Sequence, residues 1–304
     1  MTNGGPGDSR PSKNQRRDAA RKKATQLREE QKKKDRRNRV FLQGGIAVAA
    51  IAIVGIIALV IVNSIRPVGP GPANMASDGV LIGQGLKTVK TPALQPDAEP
   101  IASVPDSTGA VADIRVYIDY LCPYCGQFEQ TNSEQIAKWV DTGAATVEIH
   151  PVSILTSKSA GTQYSLRAAN AAACVANSAP NDFYAFNAAL FKDQPQEGTA
   201  GLTDKEIKQV VRSSGVTSSK IDTCIDDLQY KSWVLAATDR ALTGPIPNAS
   251  IPKVTGTPTV LVNGKQYLGS LEDPKEFAAF VLQSAGATYS TSTPTPTPTP
   301  TPAG

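Results

Sequence analysis

Tyr120-Leu121-Cys122-Pro123-Tyr124-Cys125-Gly126-Gln127-Phe128-Glu129 reads as the end of a buried strand, a Cys-x-x-Cys pair and the opening of a helix. Upstream, Ile114, Val116 and Ile118 alternate with Arg115, Tyr117 and Asp119, the period of a strand. Downstream, Phe128, Ile136 and Val140 recur at helical spacing beside Trp139, and Gly143 stops the helix. Two cysteines on a first helical turn lie close enough to join. Unpaired N–H groups and the positive end of the helix dipole sit beside the first sulfur. That environment lowers a thiol pKa, and the thiolate is the species that attacks disulfides. Pro123 suits the helix start, because it has no N–H to waste and its φ is already helical.

A bare Cys-x-x-Cys also fits a haem attachment, half of a zinc site or a structural disulfide. Haem attachment needs His directly after the second cysteine, where this chain has Gly126. Zinc needs two more ligands at short spacing, and the remaining candidates are Cys174, Cys224 and the single His150. They form no matching cluster, so dithiol redox chemistry is the favoured reading, with no metal.

Charge divides the 304 residues unevenly. Residues 1–39 hold 14 Lys/Arg and 5 Asp/Glu, so the overall +4 leaves the remainder at −5. The uncharged apolar run 40–65 follows, long enough to span a bilayer and too long for a simple cleaved signal. It reads as a transmembrane signal anchor. The basic residues before it then stay in the cytoplasm, and everything after Arg66 is exported. The same basic tail is read as an orientation signal in preference to a nucleic-acid or anionic-lipid site.

Beyond the anchor, residues 66–78 are rich in Pro and Gly and read as a spacer. Val80-Leu81-Ile82 suggests a short strand, and the prolines of 91–106 suggest irregular chain. Residues 145–152 alternate as a strand ended by Pro151, with His150 read as a packing or surface residue. From 157 to 244 the pattern is helical. Phe183, Phe186 and Leu190 form one face, Thr203-Asp204-Lys205-Glu206 a capping box, and Ile221 to Leu235 a single longer helix. Thr259–Val262, the Asn263-Gly264 turn and Tyr267-Leu268 form a hairpin, and Pro274 to Gln283 a last helix. Five Thr-Pro repeats in 293–302 make an extended tail.

Cys174 and Cys224 lie 50 residues apart on separate helical stretches. In an exported domain a structural disulfide is the natural reading, contributing about 3–4 kcal/mol in the chain-entropy model. An electron-relaying second pair is the alternative.

This order of elements resembles a thioredoxin fold with an inserted helical domain, as in the DsbA family of exported thiol–disulfide oxidoreductases. The resemblance runs from about Gly79 to Ala285. Asp119 to Glu129 is similar to that family's active-site junction, Gly256-Thr257-Pro258-Thr259 to its cis-proline segment, and Ser165 to Asn170 to the start of the insert in membrane-anchored actinobacterial-type members. The fold class expected is therefore α/β, with the thioredoxin-like part in 79–156 and 245–286, the insertion in 157–244, one transmembrane helix before and a Thr/Pro-rich tail over 287–304.

The resemblance implies that Cys122 is the exposed nucleophile and Cys125 the buried resolving thiol. It implies that Thr257, a cis Pro258, Pro123 and Tyr124 border the substrate. Reduced exported proteins are the expected partners, with a quinone-linked membrane protein for reoxidation and no cofactor. The chain departs from the family at three points. Tyr124 stands where strong oxidases often have His. Val116 stands where many relatives bury an acid, which leaves Asp119 as the candidate proton relay. Thr257 also occurs in isomerases and glutaredoxins. Rival readings are a reductase or isomerase using the same cysteines, and a redox-inert peptide- or metal-binding module.

Overall fold

The computed structural model describes residues 69–106 and 108–292, with side chains to residue 286, and scattered helical positions between 21 and 36. The expected anchor at 40–65 and the Thr-Pro repeats lie outside the described residues, none of whose helices is long and apolar enough to cross a membrane.

The strands are β1 (Val80–Gly83), β2 (Lys87–Thr88), β3 (Ala112–Ile118), β4 (Ala145–Pro151), β5 (Thr259–Val262) and β6 (Lys265–Gln266). They form one sheet in the order β2-β1-β4-β3-β5-β6. The helix α1 (Pro123–Thr142) connects β3 to the parallel β4, as a parallel pair requires. Between β4 and β5 come α2 (Tyr164–Ser178), α3 (Phe183–Lys192), α4 (Asp204–Ser213), α5 (Ser219–Asp226) and α6 (Lys231–Thr243). α7 (Pro274–Ser292) closes the described chain. This is a thioredoxin fold with helices inserted ahead of its hairpin. Asn263 and Gly264 both have positive φ, the geometry of the primed turn that joins β5 to β6.

The alternation in β3 suggests one polar face, yet all seven of its residues are buried. Ile114, Val116 and Ile118 join the main core, while Tyr117 joins a second cluster with Val152, Ile246, Val254 and Leu261. Arg115 is tolerated on that second side because it is paired. Its Nε donates to Glu148 Oε2 at 3.0 Å and Nη1 to the Pro247 carbonyl at 2.7 Å.

Three expectations change. The supposed spacer is folded by its C-terminal half: Asn74 donates to the Ala176 carbonyl at 2.8 Å, and Met75 enters the main core. The single helix expected from Ile221 to Leu235 is two, α5 and α6, broken around Leu228 at φ 48. Buried Asn170 accepts from the Tyr230 N–H at 2.8 Å, supplying the start of α6 with a partner from another helix. The last helix continues beyond Gln283 to Ser292.

Candidate active site

Cys122 is the N-cap of α1 and Pro123 its first residue. At the far end Gly143, at φ 81, closes the helix in the left-handed conformation that glycine adopts without penalty. The N-cap position places Cys122 at the end of β3 and under the loop entering β5. The Thr257–Pro258 peptide bond in that loop is cis. Cys122 Sγ donates to the Thr257 carbonyl at 3.1 Å. Tyr124 stands out at 61 % exposure.

Cys122 and Cys125 are both free thiols. Cys122, expected exposed, is only 5 % accessible, because the Thr257 loop covers it; Cys125 is fully buried. Their acidities diverge. A hydrogen bond from the Cys125 thiol lowers the Cys122 pKa, joined by the Thr257 side chain and the N–H groups of Cys125 and Tyr124. Together they outweigh burial and bring it from 9.0 to about 6. Burial holds Cys125 well above its ordinary value, and the neighbouring Cys122 sulfur adds to this. The site thus contains one thiol made to ionise and one kept neutral.

The Asp119 carboxylate, the candidate relay, is heavily engaged. It accepts from Leu121 N at 2.9 Å, Leu155 N at 2.8 Å and Ser165 Oγ at 2.7 Å. Burial raises its pKa against those bonds. The backbone N–H of Asp119, rather than the carboxylate, approaches Cys125 Sγ, at 3.5 Å.

Sequence reading missed Glu129. It stands one helical turn beyond Cys125 on the same face of α1, and borders a small cavity with Val116, the strand position that lacks an acid. Its Oε1 accepts from Asn187 Nδ2 at 2.9 Å, and Asn187 Oδ1 in turn accepts from the Tyr120 hydroxyl at 3.0 Å. Burial pushes its pKa up to about 7. Glu129 was visible in the active-site stretch, but the partner that makes it a buried acid comes from 58 residues away.

The other singled-out residues lie apart from this constellation. Cys174 and Cys224 form a disulfide joining α2 to α5. His150 is buried, stacks on Tyr117 at 4.4 Å and lies 3.2 Å from Glu148, with no described contact to either active-site cysteine. Among the described residues no group of three or more His, Cys, Asp or Glu could hold a metal.

A family model described as Thioredoxin matches residues 107–282. The serine/threonine-protein kinase PknE of Mycobacterium tuberculosis is 32% identical over 123 residues, covering 39% of this chain and 22% of the kinase. The chain thus spans under a quarter of that relative's length. Among solved structures, the reduced form of the disulfide bond oxidoreductase DsbG from Mycobacterium tuberculosis is 29% identical, covering 72% of this chain and 96% of its own at a TM-score of 0.51. Reduced DsbA from the same organism is also 29% identical, with 71% and 100% covered and a TM-score of 0.50. Oxidised BdbD from Bacillus subtilis shares the fold at 19% identity, 73% and 100% coverage and a TM-score of 0.50.

Proposed function

The chain belongs to the thioredoxin family and is a thiol–disulfide oxidoreductase of the DsbA type, and on that premise we propose that it works as a membrane-tethered oxidase of exported proteins. In the forward direction a substrate thiolate attacks Cys122 Sγ of the Cys122–Cys125 disulfide. The intramolecular S–S bond breaks, its electron pair leaves on Cys125, and a mixed disulfide forms at Cys122. A second substrate thiolate attacks the substrate sulfur of that mixed disulfide and expels Cys122 as thiolate. The substrate leaves oxidised by two electrons and the protein is left as the dithiol. A membrane quinone-linked protein is the expected electron acceptor.

The observation supporting this direction is the place of Cys122 at the N-cap of α1 beneath Thr257, an environment that lowers its pKa. A more acidic thiol is a better leaving group, and stabilising the thiolate stabilises the reduced protein. At pH 7, bringing that pKa from 9.0 to about 6 favours the reduced form about tenfold. That factor corresponds to about 30 mV for a two-electron couple. The preference is fully present above pH 9 and is lost as pH falls through about 6. Cys125 leaves with its proton supplied locally. Glu129, with a pKa near neutrality one turn away, is the group we assign to exchange that proton, while Asp119 braces the turn.

The topology supporting an exported site is that of the sequence, with 14 basic residues before the apolar run 40–65. Thr257 and cis Pro258 border the sulfur and offer an extended substrate its backbone partners. The deciding experiment is the reduction potential of Cys122–Cys125, measured with Cys174 and Cys224 intact. A value of about −120 to −180 mV supports an oxidase. A value near about −270 mV transfers the chain to the reductase reading.

A further inference from the structure

We propose that Gln194 is a positioning residue for the Cys122–Cys125 couple, a clip from the inserted helical block across the first turn of the active-site helix. It follows α3 and is far from the cysteines in sequence. Its Nε2 nevertheless donates to the Tyr120 carbonyl at 3.1 Å and to the Cys122 carbonyl at 2.8 Å. The end of α3 is itself pinned to this region. Phe191 packs on Tyr120 with ring centres 5.2 Å apart, and Gln130 Nε2 donates to the Phe191 carbonyl at 3.4 Å.

Gly126 supplies the second, independent observation. Its φ is not in the left-handed region, so the backbone there does not require glycine. Glycine inside a helix instead costs about 0.5–1 kcal/mol relative to alanine. A Cβ at this position would collide with Gln194 Oε1, the neighbour it meets most closely. Gly126 is therefore room for the amide. One end of Gln194 holds two carbonyls while its oxygen lies over the bare Cα of the residue after the second cysteine.

The clip acts on chemistry because it fixes the turn that aims donors at Cys122. The Cys122 N–H donates to the Asp119 carbonyl at 2.9 Å, and the Cys122 carbonyl accepts from Cys125 N at 3.0 Å and Gly126 N at 3.2 Å. With Gln194 holding the carbonyl side, the sulfur stays over the Tyr124 and Cys125 N–H groups that favour its thiolate. Without the clip the turn can rotate, and the thiolate loses part of that support. The inference rests on the exchange chemistry assigned above but not on its direction, since the effect of Gln194 is a difference between variants that is measured whichever way the unsubstituted protein runs.

The test uses the unsubstituted protein, Gln194→Ala, Gly126→Ala and the double variant. For each, thiolate absorbance at 240 nm is followed against pH, and the equilibrium with glutathione is measured at pH 8. We expect Gln194→Ala to raise the Cys122 pKa by about one unit and shift the equilibrium about tenfold towards the disulfide form, equivalent to about 30 mV. Gly126→Ala should push the amide aside and move both readouts the same way. The double variant should go no further than Gln194→Ala, because the collision partner is gone. Gln194→Met, which keeps the bulk and removes the donor, should behave as the alanine variant does, which separates lost hydrogen bonds from lost packing. Unchanged pKa and equilibrium in folded Gln194→Ala, native behaviour of Gln194→Met, or additive effects in the double variant would overturn the proposal. A reductase-like potential in the unsubstituted protein would sink the oxidase reading alone, the pKa comparison still deciding the role of Gln194.

Discussion

The two cysteine pairs of this chain have the same burial and different chemistry. In each, one sulfur-bearing residue is 5 % accessible and the other is fully buried: Cys122 with Cys125, and Cys224 with Cys174. Depth therefore does not separate the reactive pair from the structural one. What separates them is the place of the sulfur on its helix. Cys122 caps α1, so open N–H groups face it and a loop from β5 closes over it. Cys174 lies near the C-terminal end of α2, where backbone N–H groups are already used within the helix. Asn170 Nδ2 contacts its sulfur at 3.7 Å, a neutral and weak partner. A cysteine becomes a reagent when the fold gives its thiolate donors, and a staple when it gives only a matching cysteine.

Substituting cysteines in each pair should give opposite phenotypes. Cys122→Ser should reduce disulfide transfer to a model dithiol peptide to background while leaving thermal stability close to native. Retention of turnover in that variant would refute the site. Cys174→Ala/Cys224→Ala should do the reverse. Removing a link that closes 50 residues should cost about 3–4 kcal/mol in denaturant unfolding. The potential and the Cys122 pKa should be unchanged. A shifted potential in the double alanine variant would mean that the pairs exchange electrons, and the division drawn between them would fail.

The same division marks how far the chain could be read before it was folded. The strand and helix that hold the Cys122–Cys125 pair were legible because their determinants are local: alternation in 114–118, Pro123 at the helix start, Gly143 at its end. The Thr203 capping box and the Asn263-Gly264 turn were legible for the same reason. What escaped depends on partners distant in sequence. The break between α5 and α6 relies on Asn170, and the burial of Arg115 on Glu148 and Pro247. Gln194 carries no local mark at all, since a loop glutamine looks the same whether it faces water or two carbonyls. The accessibility of Cys122 was misjudged because its cover, the Thr257 loop, arrives 135 residues later.

The most delicate comparison lies beneath the sulfurs, where Glu129 sits one turn from Cys125 and Asn170 one turn from Cys174. Both are buried polar groups, but only Glu129 titrates. Its pKa is raised by burial from 4.5 to about 7, so the folded protein holds a proton that the unfolded chain releases more readily. The native state is therefore not penalised below pH 4.5. The cost grows as pH rises from there to about 7 and is constant above. Glu129→Gln keeps an oxygen to accept from Asn187 and removes the charge. It should unfold with the stability of the native protein at pH 4 and exceed it at pH 8 by on the order of 2–3 kcal/mol. An Asn170→Ala variant should instead lose stability, by about 1–3 kcal/mol through the orphaned Tyr230 N–H, and by the same amount at both pH values. If the Glu129→Gln gain is equal at pH 4 and pH 8, the carboxyl does not titrate near neutrality. Proton exchange with Cys125 would then have to pass to Asp119 in spite of its three hydrogen bonds.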